Sequence, residues 1–183
     1  MTATSYHGQK WRIAGWSLLA ALLALPAVAM RSTAEVNWTA LDFVTAAILL
    51  GLLGMGAEFA VRRSGGTPER LGMAVAVLTA FLLVWINLAI GVIGSERNDA
   101  NLMFAGVLAV GMGGALLARF EPAGMVRALL ATAAAQTFVL AVALAFRLGA
   151  GHPSWPFDVI GTTVLFDGFW LLSAGLFRHA AAH

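Results

Sequence analysis

Asp167 is the residue of this sequence with the most chemistry open to it. It stands within Leu165-Phe166-Asp167-Gly168-Phe169-Trp170, midway along an apolar run, and no Lys or Arg lies in the middle of any such run to neutralise it. An ionisable group in hydrocarbon costs several kcal/mol unless it is neutral, paired or hydrated, so this carboxyl is expected to be protonated. Two chemistries follow. The carboxyl could bind and release a proton or accept a cationic substrate. Alternatively, a neutral Asp donates an interhelical hydrogen bond, and Gln136, near the middle of the preceding apolar run, is a suitable acceptor. Asn87, two residues after Trp85, could complete a site with Asp167 and Gln136, or could bond a neighbouring backbone carbonyl.

The other polar groups read as structural. Glu58 and Arg62 stand at i and i+4 in the favoured order for a helical ion pair. By helical rise Glu58 lies ~10 Å past the centre of its run, toward one membrane interface. Asp42 and Asp158 fall in first helical turns, where the macrodipole favours an acid. The segment Gly94-Ser95-Glu96-Arg97-Asn98-Asp99-Ala100-Asn101 has acids and amides that could hold a cation but lacks EF-hand spacing, and a solvated turn with helix caps accounts for it.

The elements that must position these groups follow from composition. Of 183 residues, 60% are hydrophobic and 11% charged, and the mean hydropathy is +0.85. Soluble domains carry about 25% charged residues, so much of this chain must be solvated by lipid. A bilayer core of about 30 Å needs roughly 20 apolar residues per helix. Six runs meet that length: Trp11 to Met30, Leu41 to Val61, Leu71 to Ile93, Leu102 to Phe120, Met125 to Phe146 and Phe157 to Phe177. The predicted fold is an all-α polytopic membrane bundle of six transmembrane helices in a single domain, residues 1–183, because the connections are too short to hold another domain.

Charge sets the expected orientation. With a cytoplasmic N-terminus, the inside segments hold Lys10, Arg12, Arg62, Arg63, Arg70, Arg119, Arg127 and Arg178, leaving Arg31, Arg97 and Arg147 outside. The positive-inside rule then places both termini in the cytoplasm. Trp11 and Trp16 fall toward the inner interface and Trp38 and Trp155 toward the outer one, where an indole prefers to sit. Helix starts carry matching signals: Thr67-Pro68-Glu69, the capping-box spacing of Thr39-Ala40-Leu41-Asp42, and Asn98 or Asp99 ahead of the fourth run. The basic start and Leu25-Pro26-Ala27-Val28-Ala29 also resemble a secretory signal with an A-x-A site, whose cleavage would leave five spans. The long apolar run from Ile13 to Ala29 argues for retention.

In the fourth run Ala105, Ala109 and Gly113 fall at i, i+4 and i+8, with Gly106 and Gly114 beside them, a face that lets helices approach closely. Ala131 to Ala135 makes the same statement for the fifth. Arg31, Trp38, Asp42 and Arg62 are echoed by Arg147, Trp155, Asp158 and Arg178, as a parallel repeat of helix pairs would give, although outward loops tend to show these landmarks anyway.

Motifs for covalent chemistry are missing from the sequence. With no Cys there is no disulfide, thiolate metal site or thiol nucleophile. The four His, at positions 7, 152, 179 and 183, lie outside the runs, so axial pairs for a membrane haem are missing. No H-E-x-x-H, G-x-S-x-G or Walker A pattern occurs, and the Gly-rich stretches lie inside apolar runs rather than in a Rossmann unit. No cofactor and no metal are expected.

The segment from Gly94-Ser95-Glu96 through Asn101-Leu102-Met103 to Gly114-Ala115-Leu116-Leu117-Ala118-Arg119-Phe120 resembles a group of small uncharacterised bacterial polytopic inner-membrane proteins. The resemblance implies a bacterial inner (plasma) membrane and brings no activity with it. From the residues, the first functional expectation is a non-enzymatic accessory or structural component of a membrane assembly. Its partners would be membrane lipids and other membrane proteins or further copies of itself, and not nucleic acid. The alternative is a small oligomeric proton-linked transporter or channel using Asp167.

Overall fold

The computed structural model describes residues 3–33, 35–63 and 65–182, with side chains of the first helix from Lys10 onward. His7 and His183 therefore lie outside the described side chains. Among the described residues six α-helices form: α1 (Ala3–Ser32), α2 (Ala40–Arg63), α3 (Thr67–Ala89), α4 (Met103–Leu117), α5 (Pro122–Ala145) and α6 (Phe157–Ala181), with a 3₁₀ turn at Asp99–Leu102 before α4. The described residues contain no strand. The fold is all-α, and all six helices are long and apolar enough to cross a membrane, the fourth together with its 3₁₀ turn.

Helix starts obey local chemistry. Thr39 and Asp42 form a reciprocal capping box, with Thr39 N–H donating to Asp42 Oδ2 at 2.7 Å and Asp42 N–H donating to Thr39 Oγ1 at 3.4 Å. The third helix begins at Thr67 with Gly66, rather than Thr67, as its N-cap. Glu69 Oε2 reaches back to accept the Gly65 N–H at 2.6 Å, satisfying one of the donors at that end.

The apolar run to Ile93 does not stay helical. Past Ala89 the chain turns, with Gly91 at φ +71 and both Ile90 and Gly91 donating to the Ile86 carbonyl. A Cβ at Gly91 would run into the Ser95 carbonyl group. Only glycine takes this backbone conformation at so close an approach. Val92 and Ile93 remain buried because Asn101 Oδ1 accepts both of their N–H groups, at 3.0 and 2.8 Å. Hydrophobicity alone therefore overstates α3 by about one turn.

The chain divides into two compact units, residues 1–62 and 63–183. In the second unit α6 packs on both α3 and α5, and α5 packs on α4, while α3 and α4 touch only slightly. The spatial order is thus α3, α6, α5, α4. The α3–α6 register is fixed where Ser173 Oγ, fully buried, donates to the Gly72 carbonyl at 2.7 Å. The α4–α5 approach uses glycine: a Cβ at Gly114 would lie 2.8 Å from that of Ala128, and one at Gly111 would lie 3.0 Å from Thr132 Oγ1.

Candidate functional site

The site is built from one face of α6 against α5. On α6, Thr163, Asp167 and Trp170 fall at i, i+4 and i+7 and share a face. On α5, Thr137 meets Asp167, and Gln136 stands beside it in the chain, one turn past Thr132, which packs on Gly111 of α4. Thr137 Oγ1 donates to Asp167 Oδ2 at 2.7 Å, which sets the register of these antiparallel helices. Thr163 then lies about 6 Å along the axis from Asp167 and Trp170 about 4.5 Å the other way, so the layer is ~10 Å thick. Asp167 itself is ten residues into a 25-residue helix, about 15 Å along its axis. The layer is near the middle of α6.

Most of this layer is sealed from solvent. Gln136 is 0% exposed, Thr163 2% and Trp170 3%. Yet both Gln136 amide atoms, Thr163 Oγ1, Trp170 Nε1 and Asp167 Oδ1 meet no hydrogen-bond partner among the described residues. Asp167 bridges two environments: Oδ2 takes the hydroxyl of exposed Thr137 at the edge of the seam, while Oδ1 is buried. Each unpaired polar group in hydrocarbon costs several kcal/mol. Donor and acceptor capacity, with a carboxyl among it, is thus left unused along this stretch of α5 and α6.

Of the three polar residues expected to meet, the structure brings Asp167 and Gln136 to one level and leaves Asn87 apart. The bond expected between the two does not form; Thr137 takes that place. Counting from the Ser173–Gly72 contact, Asn87 is level with residue 158 of α6, about nine residues or ~13 Å from Asp167. Its Nδ2 donates to the Leu83 carbonyl at 2.7 Å, a bond within its own helix. Thr137, Thr163 and Trp170 were not singled out from the sequence, although the i, i+4, i+7 spacing of the α6 trio was available there.

In the first unit Glu58 gathers four donors. Arg62 pairs with it at 2.8 Å, Arg12 approaches both carboxylate oxygens at 2.9 and 3.1 Å, and the Trp16 indole N–H donates at 2.9 Å. Gly54, one turn before Glu58, makes room: a Cβ there would lie 2.8 Å from the edge of the Trp16 ring. The i, i+4 pair is thus part of a network tying α1 to α2, a cross-helix role the spacing could not reveal.

Along α4, Ala105 and Ala109 are exposed and nothing within 4 Å would meet a Cβ on Gly113. The small residues that α5 covers are Gly111 and Gly114 instead. Three glycines on α6, Gly161, Gly168 and Gly175, are equally open and recur every seven residues. In the α3–α4 connection both asparagines serve the backbone: Asn98 Nδ2 donates to the Leu148 carbonyl at 2.6 Å, and Asn101 Nδ2 to that of Ser95 at 2.7 Å. Among the described residues no group of three or more His, Asp or Glu side chains could hold a metal ion. Comparison with protein-family models, with curated proteins and with solved structures gives no match for this chain.

Proposed function

We propose that this chain is a small oligomeric, proton-linked transporter or channel of the bacterial inner membrane, with both termini in the cytoplasm and Asp167 as the group that takes up and releases the proton. The observation that supports this reading is the layer of unpartnered polar atoms around Gln136, Thr163, Asp167 and Trp170. Groups of that kind deep in a membrane helix pair mark solute or proton paths. Water entering the layer would accept from Trp170 and Gln136, donate to Gln136 Oε1, and exchange a proton with the buried Asp167 oxygen. Thr137 holds the other oxygen, so the carboxyl keeps its orientation in either protonation state. The test is proton flux in liposomes carrying the wild-type chain or Asp167→Asn, with insertion and helix content checked in both.

The second reading is a non-enzymatic accessory component of a membrane assembly. The open faces of α4, at Ala105, Ala109 and Gly113, and of α6, at Gly161, Gly168 and Gly175, favour it. Helices carrying such faces associate closely in lipid. Purification in mild detergent from the native membrane, followed by mass spectrometry, tests it. A stoichiometric partner protein supports the accessory role, and a chain that emerges alone or with further copies of itself counts against it.

A further inference from the structure

We propose that the Arg12–Trp16–Glu58–Arg62 cluster, with the groove beside it on α1, binds the headgroup and upper acyl chain of an anionic phospholipid. The charges do not balance within the cluster: two guanidinium groups share one carboxylate. Their exposure is unequal. The side chain of Glu58 is 21% exposed, those of Arg12 and Arg62 56% and 66%. The carboxylate is thus drawn inward, and the surplus positive charge faces outward. Arg12 turns Nε and one terminal nitrogen to Glu58. A guanidinium carries five N–H donors in a planar fork, so its outer edge can still take a phosphate oxygen.

The groove continues from this charged end into apolar surface. It is lined by Arg12, Ile13, Trp16, Ser17 and Ala20. These residues lie on one side of a helix and span about 12 Å along its axis. A lipid has a matching polarity along its length: a phosphate against Arg12 at one end and acyl methylenes against the Trp16 ring and Ala20 farther along. Trp16 is fixed in place, since its N–H donates to Glu58 and its ring lies over Gly54. An indole held at this depth is suited to the boundary between headgroup and chain. Zwitterionic lipid offers the same chain but cancels the phosphate charge with its own ammonium, so the surplus charge selects an anionic headgroup. This site does not depend on Asp167 or on what the α5–α6 seam carries.

The test is native mass spectrometry of the purified full-length chain, titrated with phosphatidylglycerol or phosphatidylcholine. Wild-type protein is expected to retain phosphatidylglycerol at several-fold lower concentration than phosphatidylcholine. Arg12→Gln and Arg62→Gln should each weaken phosphatidylglycerol binding about fivefold, the worth of one interfacial basic charge, and leave phosphatidylcholine unchanged. Glu58→Gln keeps a hydrogen-bond acceptor for Trp16, removes the negative charge, and should strengthen phosphatidylglycerol binding. A gain of binding cannot come from loss of folding, so this variant separates a lipid site from a purely structural ion pair. Equal retention of the two lipids by the wild type would overturn the proposal. So would a Glu58→Gln variant whose phosphatidylglycerol binding is unchanged or weaker.

Discussion

Thr137 donates its hydroxyl to Asp167 across the α5–α6 seam at 2.7 Å, and the second carboxyl oxygen is left buried with no hydrogen-bond partner among the described residues, as are the Gln136 amide, the Thr163 hydroxyl and the Trp170 indole N–H. A carboxyl held by one oxygen and open at the other is oriented without being saturated. That asymmetry is the physical basis for assigning it a proton-carrying role.

Gln136→Leu separates a hydrated seam from a dry one. In a dry seam the change removes two orphaned polar atoms and fills the same volume, and it should stabilise the chain by about 1–3 kcal/mol. The functional reading predicts instead that stability changes by less than about 1 kcal/mol while proton flux falls, because Gln136 is already satisfied in the membrane by species it shares with Asp167. Thermal unfolding and liposome flux on the same preparation check this.

Gly54→Leu should displace the Trp16 ring and loosen the three donors that Arg12 and Trp16 of α1 supply to Glu58. Overpacking of this kind costs about 1–3 kcal/mol, and the partly exposed ion pair adds little to that. A lowered unfolding temperature is expected, with flux per folded molecule close to wild type, since the Asp167 layer lies in the other unit.

The two sets of small residues on α4 should behave oppositely. Gly114→Leu meets Ala128 and should destabilise the purified monomer by about 1–3 kcal/mol. Gly113→Leu meets nothing, so unfolding of the monomer should be unchanged. Any loss in crosslinked oligomer or complex in native membranes with Gly113→Leu would show what that face touches.

The absence of Cys makes topology directly measurable. Single cysteines at positions 97 and 147 should react with a membrane-impermeant maleimide in intact cells once the outer membrane is opened. Cysteines at 10, 63 and 119 should react only after the inner membrane is breached. The reverse pattern would place the termini outside.

Much of the fold was legible because transmembrane length is a one-dimensional signal. The runs from Leu41, Met125 and Phe157 became α2, α5 and α6 to within a few residues. The third run failed near its end because Val92 and Ile93 are buried without being helical, and the agent is a distant side chain, Asn101. The seam was half legible. Asp167 and Gln136 stand out as polar letters among apolar ones, but Thr137, Thr163 and Trp170 join them only through helix register. Asn87 looks like a third member in the sequence and is not one, because the Ser173–Gly72 contact sets it at another level. For Ala105, Ala109 and Gly113, composition identified a face suited to close packing. Only coordinates could show that α5 lies against its neighbours Gly111 and Gly114.

If Asp167 carries a proton through the α5–α6 seam, proton flux in liposomes will distinguish the wild-type chain from Asp167→Asn. The asparagine keeps an oxygen for Thr137 but cannot ionise. Measurable flux is expected in the wild type and its loss in the variant, with insertion, helix content and unfolding temperature preserved. Flux that is absent from both proteins, or equal in both, would contradict that role of Asp167 and leave the accessory reading in its place.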